Sequence, residues 1–251
     1  MQDFIKNEKY FYNFIKNKNL IIVGPSKNLE NKRMGKFIDS HDIVIRLNNS
    51  FPILYNKEVS HEDVGTRTDI IYHTGAIKKV LELIYEKYKI DKSEILKADK
   101  IKYFVSKRDP IVGTRLEKKY TSDFVKIIRD DIKILTVHKK FLVKLRKNLK
   151  NTDPNMSTIA FIHLLKFKFK SCRIIGCDFY SSGYNKSYFI PNTLIFDEKS
   201  KKLIRKDGRK RRKPKIPHDT KIQIRFLLKV LKNDKRFIIN DLKKWKKIIA
   251  N

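Results

Sequence analysis

A rhythm in the apolar residues constrains this chain more than any other feature. The run Leu20-Ile21-Ile22-Val23 stops at Gly24-Pro25-Ser26, and comparable runs return at 42–47, 69–72, 101–105, 132–137, 172–176 and 236–239. Short apolar runs bounded by turn residues read as strands buried on both faces. Between them lie stretches of helical spacing at 77–89 (Val80, Leu81, Leu83, Ile84, Tyr88), 155–169 and 217–231. Strands alternating with helices predict one α/β domain, a mostly parallel sheet flanked by helices. Residues 1–18 read as an amphipathic helix with Phe4, Phe11, Phe14 and Ile15 near one face, packed on a domain spanning 19–251. A helix lying on a membrane surface is the other reading of that segment.

At 251 residues with 41% hydrophobic content, the chain can bury a sizeable core. Two cysteines exclude a disulfide-stapled scaffold and a multi-cysteine zinc site. No apolar run approaches the roughly 18 residues that span a bilayer, and Lys6, Lys9, Lys16 and Lys18 interrupt any secretory core. Lys and Arg number 59 against 27 Asp and Glu, a net charge of +32. Such charge favours polyanions, anionic membrane faces or phosphorylated substrates. It also suits an AT-rich genome, since Lys outnumbers Arg about three to one. Residues 181–216 break the strand–helix rhythm with Gly183, Pro191, Gly208, Pro214 and the run Arg209-Lys210-Arg211-Arg212-Lys213. This segment reads as a basic lid loop inserted in the domain. A solvated charge run with no role is the alternative.

Parallel sheets bind ligands outside the carboxyl ends of their strands. The first strand ends at Gly24-Pro25-Ser26, where amides and a hydroxyl can meet phosphate or ribose. The second ends at Arg46-Leu47-Asn48, where an amide side chain both donates and accepts. Neither a Walker loop nor a G-x-G-x-x-G is present, and the six histidines form no H-E-x-x-H. Asp-x-Asp, the pair that many sugar transferases use to hold a divalent cation, is also absent.

Three ordered blocks carry a resemblance: Ile22-Val23-Gly24-Pro25-Ser26, then Ile38-Asp39-Ser40-His41-Asp42-Ile43-Val44-Ile45-Arg46-Leu47-Asn48, then Asp63-Val64-Gly65-Thr66-Arg67-Thr68. They resemble the long sialylmotif of glycosyltransferase family 29, the eukaryotic-type sialyltransferases. Asn155-Met156-Ser157-Thr158 and Ile174-Ile175-Gly176-Cys177-Asp178-Phe179 resemble its short motif, and Pro217-His218 through Gln223 resembles its last. The chain departs from the pattern at Pro25 (usually Asn), Ile159 (usually Gly), Gln223 (usually Glu) and Leu20 (usually a disulfide-forming Cys). Ser187-Tyr188-Phe189 is the best match to the third motif and lacks its His.

The resemblance implies a Rossmann-like, GT-A-variant-like glycosyltransferase. It would move sialic acid, or a related 2-keto sugar acid, from a CMP-sugar to a glycan or glycolipid hydroxyl with inversion, using no metal and no cofactor. Gly24, Ser26, Asn48, Ser157, Thr158 and Tyr188 would bind the donor. His218 would be the base, because imidazole titrates near working pH. Pro217 suits a first helical turn, whose positive end disfavours imidazolium. Ser157 and Thr158 also stand where a helix N-cap belongs. His41, Arg46 and Arg67 read as structural, and Cys172 as a small buried thiol. The rival reading is a non-catalytic basic nucleotide or polyanion binder on the same scaffold. Signals for a dedicated nucleic-acid protein are not evident. A cytoplasmic or membrane-peripheral location is expected.

Overall fold

A computed structural model describes residues 2–48, 50, 60–74, 101–107, 133–179, 181–185, 194–197, 199, 202–206 and 218–250. Seven strands form one sheet: β1 Asn19–Val23, β2 Ile43–Leu47, β3 Ile70–His73, β4 Tyr103–Ser106, β5 Lys133–Thr136, β6 Ser171–Ile175 and β9 Phe237–Ile239. Their order is β5-β4-β3-β2-β1-β6-β9, with every neighbouring pair parallel. Two further strands, β7 Leu194–Asp197 and β8 Lys202–Arg205, make a separate antiparallel hairpin. That hairpin lies inside the segment expected to be loop. The basic run 209–213 and the expected helix at 77–89 lie outside the described residues.

Side-chain alternation along β1 divides the apolar residues between two cores. Leu20 and Ile22 join a large cluster with Ile43, Ile45, Tyr72, Ile159, Phe161 and Ile174. Ile21 and Val23 join a smaller one with Leu29, Ile38, Val44, Val64 and Ile175. Burial on both faces explains why the strands read as continuous apolar runs. The N-terminal helix, Gln2–Ile15, belongs to the same body: Phe11 and Ile15 are fully buried in the large cluster. The Phe11 ring meets Tyr103 and Phe167 edge-on, with both centroid separations 5.2 Å.

The middle blocks of the sequence resemblance form a clasp around the start of β2. The Asp39 carboxylate accepts from Thr66 N (2.8 Å), Thr66 Oγ1 (2.9 Å) and Arg67 N (3.1 Å). Arg67 Nη1 returns to Asp39 O at 2.7 Å and His41 O at 2.8 Å. Gly65 has φ +73°, and a Cβ there would lie 2.5 Å from Asp39 Oδ1, so only glycine fits. Arg46, fully buried in β2, donates through Nη2 to Val64 O at 2.7 Å and Arg67 O at 3.0 Å. His41 Nδ1 bonds Phe37 O at 2.9 Å, and its ring packs edge-on against Phe37. These residues hold chain to chain.

Several boundaries differ from the sequence expectation because side chains compete for the backbone. Asp42 and Asp69 precede their strands: Asp42 Oδ2 takes Asn19 N at 2.8 Å and Asp69 Oδ2 takes Val44 N at 2.8 Å. The helix expected over 155–169 runs only from Met156 to Leu164. Its continuation turns into β6, with Phe169 against Phe237 at 5.4 Å and Phe167 O accepting from Arg236 Nη1 at 2.7 Å. Besides the short helical turns Gly35–Asp39 and His61–Val64, two longer helices not anticipated are Lys139–Asn148 and Leu242–Ala250. In the second, Trp245 is fully buried and its indole N–H donates to Cys177 O at 2.7 Å. Leu20 sits opposite Cys172 in the β1–β6 register, so an apolar side chain faces the buried thiol where the family pattern has a second cysteine. Burial pushes the Cys172 thiol up.

Candidate active site

The chain runs outward from β1 through β5, then crosses back to place β6 on the other side of β1. The reversal makes the carboxyl ends of β1 and β6 a topological switch point, where the two flanking connections diverge and leave a crevice. A small open cleft lies there, lined by Pro25, Leu47, Asn48, Met156, Ser157, Gly176, Cys177, Asp178 and Phe179.

Two glycines let the strand ends close up beneath it. Gly24 N donates to Ile175 O at 2.9 Å, and Ser26 N to Gly176 O at 3.0 Å. A Cβ on Gly24 would overlap Gly176 O and come within 2.6 Å of Cys177 Sγ. Gly24 therefore serves close approach, and both amides of this turn are engaged within the protein. Ser26 is 1% exposed. Its hydroxyl bonds Ser182 Oγ at 2.9 Å and accepts from Asn28 N at 3.1 Å, capping the short 3-10 turn Lys27–Leu29. Asp178 joins the same network, accepting from Asn28 Nδ2 at 2.8 Å and Ser182 N at 3.1 Å.

Asn48 is different. It ends β2 with φ +51°, a left-handed conformation, held by its N–H on Tyr72 O at 2.7 Å. Its Oδ1 is buried and finds no hydrogen-bond partner among the described residues. A residue in the left-handed region with an unpartnered buried acceptor thus stands on the cleft wall.

The Met156–Leu164 helix supplies the opposite wall. Its N-cap is Asn155, not Ser157 or Thr158: Asn155 Oδ1 accepts from Thr158 N at 2.9 Å and Ser157 Oγ at 2.8 Å. Ser157 lines the cleft. Thr158 is fully buried and donates its hydroxyl to Gln223 Oε1 at 2.7 Å. His218 precedes its own helix, which begins at Thr220 with Asp219 as cap, Oδ1 accepting from Ile222 N at 2.8 Å. The histidine is thus outside the first turn of that helix. Its Nδ1 makes a hydrogen bond to Asp153 O at 2.5 Å. A carbonyl can only accept, so Nδ1 carries the hydrogen, and whenever the ring is neutral the lone pair is on Nε2.

Asp153 is itself fixed. Its carboxylate pairs with Lys107 Nζ at 2.7 Å and Arg146 Nη2 at 2.7 Å. Burial alone would raise this carboxyl, but hydrogen bonds and charge from Lys107 and Arg146 outweigh it and hold it below the usual range. Lys107 follows β4, so one end of the sheet anchors the segment that receives His218. The crevice thus brings together Asn48 and Ser157, and His218 is hooked onto Asp153, two residues before the Asn155 cap of the cleft-wall helix. Gly24, Ser26 and Thr158 stand behind it as supports. Tyr188 lies outside the described residues. The sequence carries no sign of Asp153, because a backbone acceptor has no side-chain signature, and it offers three neighbouring capping candidates of which Asn155 is the one that caps. Among the described residues no cluster of His, Cys, Asp and Glu could hold a metal ion. No helix among them is long and apolar enough to cross a membrane.

A parallel α/β sheet with a polar crevice at its switch point is a frame that binds ligands at the carboxyl ends of its strands. The family model for glycosyltransferase family 29 (sialyltransferase) matches residues 15–167, more than half of the sequence, and the chain belongs to that family. It is a glycosyltransferase of the sialyltransferase family with a GT-A-like fold. The matched span includes Gly24, Ser26, Asn48, Ser157 and Thr158, and ends before Gly176 and His218. Among solved structures, a mammalian sialyltransferase in complex with Gal-beta-1-3GalNAc-ortho-nitrophenol superposes with TM-score 0.50 at 17% identity, over 89% of this chain and 69% of that one. A second crystal structure of a mammalian sialyltransferase gives 0.49 at 17% identity, covering 89% and 68%. Curated protein sequences contain no significant match.

Proposed function

We propose that this chain transfers sialic acid, or a related 2-keto sugar acid, from its CMP ester to a hydroxyl of a glycan or glycolipid, with inversion and without a metal. The observation that carries the reading is the His218–Asp153 hydrogen bond, which leaves Nε2 as a lone-pair base beside the helix end that walls the crevice. In the proposed step the acceptor oxygen attacks the anomeric carbon while its proton passes to His218 Nε2. The bond from that carbon to the phosphate oxygen breaks, and CMP leaves with the electron pair. CMP is a good leaving group, so strong acid assistance is unnecessary. Hydrogen-bond donors of the crevice such as Ser157 receive the developing phosphate charge in place of a metal. Asn48 and Ser157 are the donor contacts that the cleft favours.

The test is transfer and hydrolysis across a panel of CMP-sugars and acceptors, followed by mass spectrometry in excess EDTA. Product should form in EDTA. His218→Ala should lower kcat by about 10² to 10⁴ while CMP affinity holds. Wild-type turnover in that variant refutes the base assignment. Loss of all turnover in EDTA, restored by a divalent ion, refutes the metal-free reaction.

A further inference from the structure

Gln223 replaces the glutamate of the family pattern, and its surroundings suit an amide. It is fully buried. Oε1 accepts from Asn155 N at 2.9 Å and Thr158 Oγ1 at 2.7 Å, the two groups at the start of the cleft-wall helix. Nε2 donates to Asp153 O at 3.3 Å. That carbonyl is the one that receives His218 Nδ1–H. One side chain therefore spans the helix that walls the cleft, the helix that follows His218 and the acceptor that orients its ring. The two ends of the amide have opposite duties. Oε1 faces two donors and must accept, whereas Nε2 faces a carbonyl and must donate.

We propose that Gln223 is a positioning residue that fixes the tautomer and orientation of His218 through the Asp153 carbonyl. The proposal rests on the reading of His218 as base. A glutamate at 223 would keep the accepting half of the arrangement. When ionised, its second carboxylate oxygen would face the lone pairs of Asp153 O with no hydrogen between them. Two acceptors at that distance repel, and it is the Asp153 peptide that must turn, its carboxylate still paired with Lys107 and Arg146, because Asn155 N and Thr158 Oγ1 hold the other oxygen of residue 223. Displacing Asp153 O takes away the acceptor that keeps the proton on Nδ1. Small displacements of a positioned catalytic group have large kinetic effects.

The decisive variant is Gln223→Glu in the full chain, with ¹⁵N-labelled histidine and His218→Ala to assign the ring. Nitrogen chemical shifts at pH 8, where an ordinary imidazole is neutral, report the tautomer without needing turnover. In wild type His218 should be the Nδ1–H form, and in Gln223→Glu it should shift toward Nε2–H. In parallel kcat at pH 8 should fall about tenfold, with CMP affinity and KM within twofold of wild type. An unchanged tautomer overturns the proposal whatever the kinetics do. A shifted tautomer with wild-type kcat supports the coupling and refutes His218 as base instead. Should Gln223→Glu fail to fold, Thr158→Val removes one anchor of Oε1 while keeping side-chain shape. It should move the tautomer in the same direction by less, and no movement there overturns the proposal.

Discussion

Replacing Asn48 with glycine separates stability from binding at this site. Asn48 carries two local costs. Its φ of +51° places a Cβ in the left-handed region, worth about 1 kcal/mol. Its buried Oδ1 lacks a partner among the described residues, worth about 1 to 3 kcal/mol. Glycine removes both and returns about 0.5 to 1 kcal/mol through the greater freedom of the unfolded chain. The net expectation is a gain of about 1 to 3.5 kcal/mol, with Tm rising by about 2 to 4 °C for each kcal/mol in a chain of this length. Asn48→Ala keeps the strained backbone and should fall about 1 kcal/mol below the glycine variant. Both substitutions delete the acceptor that a bound nucleotide would satisfy, so CMP affinity should drop about tenfold in each. Thermal and urea unfolding give the stability order, and calorimetric titration with CMP gives the affinity. If Asn48→Gly is less stable than wild type, the strain argument is wrong. If CMP binds both variants as tightly as wild type, Asn48 does not contact the donor.

Two further outcomes concern the scaffold. His163 is buried beside Tyr72, with the phenol oxygen 2.9 Å from Nδ1, and burial, aided by Lys166, lowers its pKa from 6.5 to about 3. The unfolded chain takes up a proton that the folded chain refuses, so stability should decline as pH falls from about 6.5 toward about 3, by about 1.4 kcal/mol per unit. Urea midpoints at pH 7 and pH 5 should differ less in His163→Gln than in wild type, and equal differences would refute the assignment. Gly24→Ala forces a Cβ against Gly176 O and Cys177 Sγ and should cost about 3 kcal/mol in urea unfolding. A cost under about 1 kcal/mol would mean that the β1 and β6 ends separate easily.

Much of the scaffold is legible in the linear sequence because it is written in period and turn chemistry. Leu20-Ile21-Ile22-Val23 reads as a strand because apolar side chains on both faces need two covering layers, and the alternation with helices implies a parallel sheet. The blocks around Asp39, Gly65 and Arg67 are recognisable because their spacing is set by one clasp between neighbouring loops. The place of Asn48 and Ser157 in the cleft lining is legible because each ends or begins an element at the carboxyl edge of the sheet.

Tertiary structure alone decides who meets whom. Gly24 reads as a phosphate-binding amide until the fold shows its N–H on Ile175 O and Gly176 pressed against it. Ser157 and Thr158 read as caps until Asn155 proves to hold that position and Thr158 turns to Gln223, 65 residues away. Pro217-His218 reads as a helix start, yet the cap is Asp219 and the ring's Nδ1 bonds the backbone of Asp153. The strand order that creates the crevice, with β6 returning beside β1, depends on crossovers longer than any local pattern can encode. Period and turn residues act over a few positions, and a sequence displays them directly. Hydrogen bonds between a side chain and a distant carbonyl act across the fold, where only the packed chain brings the two atoms within 3 Å.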